Sequence, residues 1–107
     1  MSISPNFEDI KQAYERIKGD VKKTPIVESS LLNKWMDNRI LFKAECLQTI
    51  GAFKIRGAMN FLARLKEEGR LPKHVVANSS GNHAQAVAYA ASYFGIKATI
   101  FASETIS

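Results

Sequence analysis

The chain has 107 residues, enough for one small domain with a modest core, and an ordinary apolar fraction of 46%. Its single cysteine, Cys46, excludes an internal disulfide framework and a cysteine-built metal site, and no stretch approaches the roughly 18 apolar residues that a membrane-spanning helix needs. The net charge of +5 is spread over the chain, with Lys22-Lys23 as its longest run, so the concentrated basic stripe of a nucleic-acid binder is missing and a mildly basic cleft for an anionic small molecule fits equally well.

Asn6 or Ser4 can cap a first helix, with Asp9 in its first turn and Phe7, Ile10, Tyr14 and Ile17 as its apolar stripe. Gly19 ends it, and Thr24-Pro25 imposes an extended backbone leading into a short strand at Ile26-Val27. Ser29 or Ser30 caps a short helix through Leu31, Leu32, Trp35 and Met36. Asp37-Asn38 turns the chain into a strand over residues 40–45, followed by a loop over 46–52. A helix over about 53–67 carries Ala58, Phe61, Leu62 and Leu65 at helical spacing, with Gly69 past its end. A strand over 74–78 leads through Ser79-Ser80-Gly81-Asn82 into a helix of about 82–94, with Ala84, Val87, Ala88, Ala91 and Phe94 on one face. Gly95 stops that helix, and 97–102 reads as another strand. Strands alternating with helices indicate an α/β fold of parallel βαβ units. The loops at 46–52 and 79–82 both leave the carboxyl end of a strand and start a helix, where open α/β sheets bind their ligands.

Two stretches carry chemistry. In Gly51-Ala52-Phe53-Lys54-Ile55-Arg56-Gly57-Ala58 a lysine stands at a helix N-terminus between two glycines. The positive end of the helix dipole, and partial burial among Phe53 and Ile55, would both favour a neutral, nucleophilic amine able to form a Schiff base. The competing reading is an ordinary solvated lysine. In Ser79-Ser80-Gly81-Asn82-His83 the hydroxyls and the free backbone N–H groups of a helix start could take a carboxylate or a phosphate, or the serines and asparagine could simply cap the helix. Arg56 could meet an anion or form an ion pair. His74 has no evident partner, and Cys46 reads as core or loop filler.

Taken together, residues 51–58 and Ser79-Ser80-Gly81-Asn82-His83-Ala84-Gln85 resemble the fold-type II pyridoxal-phosphate enzymes (tryptophan synthase β-like), in particular the threonine/serine dehydratase branch, with serine racemase as a near relative. Thr24-Pro25 and Lys43-Ala44-Glu45 agree with it, and the resemblance runs from about residue 7 to 102. It implies that pyridoxal 5′-phosphate is held by Lys54, which then removes the substrate α-proton. Phe53 would lie against the cofactor ring and Asn82 would hydrogen-bond its 3′-oxygen. Ser79, Ser80, Gly81, Asn82 and His83 would take the substrate carboxylate, with Ser80 matching the opposite-face acid/base of the racemase branch. The implied reaction removes the β-hydroxyl of L-threonine or L-serine to give a 2-oxo acid and ammonia.

The chain departs from the pattern in two ways. Ala52 stands where the family commonly has serine. The glycine-rich loop that cradles the cofactor phosphate is absent, since the six glycines include no adjacent pair, and so is the later Ser or Cys that faces the pyridine nitrogen. The chain looks like the N-terminal third of such an enzyme, incomplete as a fold. About 1–52 resembles the start of the large domain and about 53–107 part of the small one, and it is expected to be inactive alone. The alternatives are a non-catalytic remnant that self-associates as a homo-oligomer through exposed sheet edges, and a small nucleotide-binding module. The latter is opposed by the lack of Gly-x-Gly-x-x-Gly. Polar and charged residues at the N-terminus, where a signal peptide would be apolar, make a cytoplasmic location the expectation, with a small amino acid as partner and neither nucleic acid nor membrane.

Overall fold

The computed structural model describes residues 4–105. Helix α1, Phe7–Ile17, starts in a capping box: the Asp9 amide donates to the Asn6 side chain (2.9 Å) and the Asn6 amide to the Asp9 carboxylate (2.8 Å). Of its expected stripe only Ile17 is buried; Phe7, Ile10 and Tyr14 are exposed. Arg16 ties α1 to helix α3, Lys54–Glu67, donating to Asn60 (2.7 Å) and Glu67 (3.0 Å).

Strand β1, Ile26–Glu28, and strand β2, Leu41–Lys43, flank helix α2, Ser30–Met36, which Ser29 caps through the Leu32 amide. The alternation of strand and helix predicts a parallel pair here, yet β1 and β2 run antiparallel, with Val27 opposite Phe42. The reason is local. Helix α2 is only two turns long and ends at Asp37 in the left-handed region (φ 50°). Asn33 then accepts from the Ile40 amide (2.8 Å) and donates to Glu28 (2.8 Å), while Arg39 pairs with Glu28 (2.9 Å). These contacts fold the chain back beside β1 instead of letting it cross over.

After two 3₁₀ turns, Glu45–Leu47 and Thr49–Gly51, helix α3 begins. Of the Ala58, Phe61, Leu62 and Leu65 line that the spacing suggests, Leu62 is buried, together with Ile55 and Met59, whereas Ala58 and Leu65 are half-buried and Phe61 is exposed. Ile55, Met59 and Leu62 form the core with Ile17 and Ala90, and Ile55 and Met59 are fully enclosed. Complete burial of side chains this size contributes about 2 kcal/mol each.

Strand β3, His74–Asn78, helix α4, Asn82–Tyr93, and strand β4, Lys97–Phe101, form the expected βαβ unit, parallel from His74 opposite Lys97 to Asn78 opposite Phe101. His74, which has no partner evident in the sequence, lies 2.7 Å from the Thr99 hydroxyl of the neighbouring strand. Of the expected α4 face, Ala91 is buried and Ala84, Val87 and Phe94 are half-buried, but Ala88 is exposed, and Ala86 and Ala90 complete the buried face. The correction follows from the neighbour: α4 packs closely on α3 as well as on its strands, so Ala90 joins the Ile55–Met59 cluster. Among the described residues no helix is long and apolar enough to cross a membrane.

Candidate active site

The segment before Lys54 is held by buried polar groups. The Gln48 side chain, almost completely buried, accepts from the Lys22 and Thr49 amides (2.8 Å each) and donates to the Lys22 carbonyl (2.7 Å). Glu45 receives Arg56 in a two-point grip, Nε on one oxygen (2.8 Å) and Nη2 on the other (2.7 Å), and accepts a further hydrogen bond from the Thr24 hydroxyl (2.5 Å). The Arg56 guanidinium, helped by Thr24, holds the Glu45 carboxyl at about 2, and the carboxylate in turn raises the Arg56 pKa. Arg56 therefore takes the ion-pair role of its two open roles and is not free for an anion.

Lys54 opens α3, with no side-chain cap at Phe53, its predecessor. The expected burial of this lysine does not occur. Successive helical residues point about 100° apart, and here Ile55 takes the inward direction, so Lys54 and Phe53 stay at the surface. The Lys54 Nζ lies 5.2 Å from the centre of the Phe53 ring, and among the described residues it makes no hydrogen bond or ion pair. Cys46, exposed in the preceding turn, is loop rather than core.

The second loop closes on itself. The Ser79 amide donates to the Phe101 carbonyl (2.9 Å), and the Ser79 hydroxyl accepts from the Gly81 amide (3.3 Å). Gly81 is the N-cap of α4 and no side chain caps the helix, so the simple Ser/Asn cap is not formed. The first-turn N–H groups are left without a side-chain partner, and beside them Ser80 and the unengaged amide of Asn82 are exposed.

The two loops leave strands of different sheets, β2 and β3, so no single sheet edge carries both. What joins them is helix packing. A cavity of about 290 Å³ is lined by Gly57 and Ala58 of α3, Val75 and Val76 of β3, and His83 and Val87 of α4. It sets the start of α4 beside the turn of α3 that follows Lys54. Sequence reasoning gave no positioning role to Thr24, Glu45 or Gln48. Their one visible signal is a Gln and a Glu in a turn-rich segment followed by an arginine in the next helix.

A parallel βαβ unit, an exposed lysine at a helix start and an uncapped Ser-Ser-Gly-Asn-His helix entry together offer an α/β frame with an amine for a carbonyl group and free N–H groups for an anion. Residues 17–107 match the family described as pyridoxal-phosphate dependent enzyme, and the chain belongs to that family. It is 47% identical over 102 residues to L-threo-3-hydroxyaspartate ammonia-lyase of Saccharomyces cerevisiae, covering 95% of this chain and 31% of that protein. It is 52% identical over 94 residues to L-threonine ammonia-lyase of Thermotoga maritima, covering 88% and 23%. The structure of maize serine racemase superposes with a TM-score of 0.83 at 42% identity, over 94% of this chain and 31% of that one. The chain thus spans less than a third of the length of these relatives. Its family uses pyridoxal phosphate, and its members include both lyases and racemases.

Proposed function

We propose that this chain is the lysine-bearing N-terminal part of a pyridoxal-phosphate enzyme that dehydrates L-threonine or L-serine. The observation that carries the reading is Lys54: an accessible primary amine without a competing acidic partner among the described residues, on a helix start whose backbone is fixed on both sides. These residues fit the cofactor's aldehyde end. Lys54 supplies the amine, Phe53 an aromatic face beside it, and Asn82 a free amide. When bound, the cofactor supplies the electron sink that stabilises charge at the substrate α-carbon. Lys54 would then exchange a proton at that carbon from one face, and Ser80 would stand for the other. The uncapped N–H groups of residues 82–84, with Ser79, Gly81 and His83, would orient the substrate carboxylate. Residues about 1–52 and 53–107 belong, in this reading, to the two domains between which such a site lies.

The test is covalent trapping. The chain is incubated with pyridoxal 5′-phosphate, reduced with borohydride, and its labelled peptides mapped. Label should concentrate at Lys54 and vanish from that peptide in Lys54→Arg. Even labelling of all the lysines would overturn the assignment. Because nothing in residues 4–105 forms a phosphate cradle of adjacent glycines, we expect weak cofactor retention and no turnover from the chain alone. A second reading, a self-associating non-catalytic module, is favoured by the apolar side chains left at the surface, among them Trp35, Phe53, Phe61 and Val76.

A further inference from the structure

Lys54 is free, but its backbone is not. Immediately upstream lies a left-handed pair, Ile50 (φ 67°) and Gly51 (φ 73°). A β-branched residue in that region is a genuine outlier, and it persists only where its surroundings over-determine it. Two devices do so here. Gln48, two residues before Ile50, spends three hydrogen bonds on the Lys22 and Thr49 backbone. Glu45 grips Arg56, two residues beyond Lys54, and is itself fixed by the buried Thr24 hydroxyl. Between these anchors Ala52 is buried and Ile55 is completely enclosed. The first turn of α3 is therefore pressed against the 3₁₀ turn at Glu45–Leu47 and against the strap at Lys22–Thr24, while the Lys54 side chain projects unrestrained.

We infer that Glu45 and Thr24, acting through Arg56, are positioning residues for the Lys54 amine. Their two-point clamp fixes the direction in which the first turn of α3 presents that amine to a carbonyl ligand. This rests on the reading of Lys54 as the carbonyl-binding lysine. Glu45 and Thr24 touch no ligand; they act on the helix start alone. A rigid anchor under a mobile nucleophile is what an oriented attack requires, and a misplacement of about 1 Å can cost up to about a hundredfold in rate.

The test compares lysines within one molecule. The full chain, Glu45→Gln and Thr24→Val are each treated with pyridoxal 5′-phosphate under limiting conditions and reduced, and label at Lys54 is divided by label at the remaining lysines. Circular dichroism and thermal unfolding report folding in parallel. The wild-type chain should favour Lys54. Glu45→Gln, which keeps the shape but releases the grip, should lower the ratio about tenfold while the chain remains folded, and Thr24→Val should lower it by a smaller factor. A purely structural pair would reduce the melting temperature and leave the ratio unchanged, and that result overturns the inference while sparing the role of Lys54. No preference for Lys54 in the wild-type chain overturns the role itself and the inference with it. Should Glu45→Gln fail to fold, the folded Thr24→Val chain decides the matter.

Discussion

Ile55 and Lys54 are neighbours with opposite surroundings, and the difference explains both the core and the site. Ile55 is sealed among Ile17, Met59 and Leu62, so Lys54, one residue earlier on the helix, has to face out. Arg56 then turns back to the Glu45 carboxylate; the Glu45 side chain is 17% exposed and the Arg56 side chain 27%. This pair makes stability depend on acid in a definite direction. The Glu45 carboxyl stands at about 2 instead of its ordinary 4.5, chiefly through the Arg56 hydrogen bonds. A depressed carboxyl contributes its full stabilisation above the ordinary value and loses it as pH falls toward the folded one. Up to about 3 kcal/mol follows from such a shift, less what solvent access to the pair removes. Urea unfolding of wild type and Glu45→Gln should therefore differ by about 1–3 kcal/mol near neutrality, with the gap closing on acidification below pH 4.5. A gap independent of pH would show that the pair contributes by shape rather than charge.

At the scale of elements, the two glycines flanking Lys54 do different work. Gly51 has φ +73°, and a Cβ there would meet only the Cys46 carbonyl oxygen at an ordinary 3.7 Å, so the cost of Gly51→Ala is backbone strain of about 1–2 kcal/mol. Gly57 lies inside α3 with nothing within 4 Å of the place a methyl group would take, so Gly57→Ala should stabilise the helix by about 0.5–1 kcal/mol. Thermal melts of the two variants should move in opposite directions; a shift of the same sign in both would contradict this account of the turn. The turn also marks where sequence reasoning stops. The βαβ unit and the starts of α3 and α4 were legible because glycine punctuation and apolar runs coincide there, as at Gly95 and His74–Asn78. The antiparallel pairing of β1 and β2 was not, because it depends on Asn33 and Arg39 reaching Glu28, contacts that no periodicity encodes. Of the expected faces of α3 and α4, Leu62 and Ala91 are buried, while Ile55, Met59, Ala86 and Ala90 were not foreseen, since apolar residues occur on several sides of both helices and only the mutual packing chooses among them. Lys54 and the Ser79–His83 loop stood out as residue types in order. The clamp at Thr24, Glu45 and Gln48 did not, because it joins segments 21 to 26 residues apart.

For the whole molecule the decisive quantity is surface. A compact monomer of 11.9 kDa exposes about 5,900 Å² and has a Cα radius of gyration near 13 Å by size scaling. This chain exposes 8045 Å² with a radius of gyration of 16.8 Å. The excess, roughly 2,000 Å², is more than twice the ~800 Å² that one partner contributes to a standard protein interface. Much of it is apolar: Phe61 and Val76 line one cavity and are both more than half exposed, and among the described residues the β3–β4 sheet has two strands, although parallel sheets are usually covered on both faces. An open edge beside an apolar face recruits a partner strand or a second copy. In solution the isolated chain should therefore sediment as a dimer or larger species that dissociates on dilution. Phe61→Lys combined with Val76→Lys places two charges on that face without touching Ile55, Met59 or the Glu45 clamp, and should return the chain to monomer with its helical signal retained. A wild-type chain that sediments as a single monomer across the same concentrations would remove self-association as the fate of this surface. Lys54 trapping would then have to be read on a face that stays open to water, with the amine 5.2 Å from the centre of the exposed Phe53 ring.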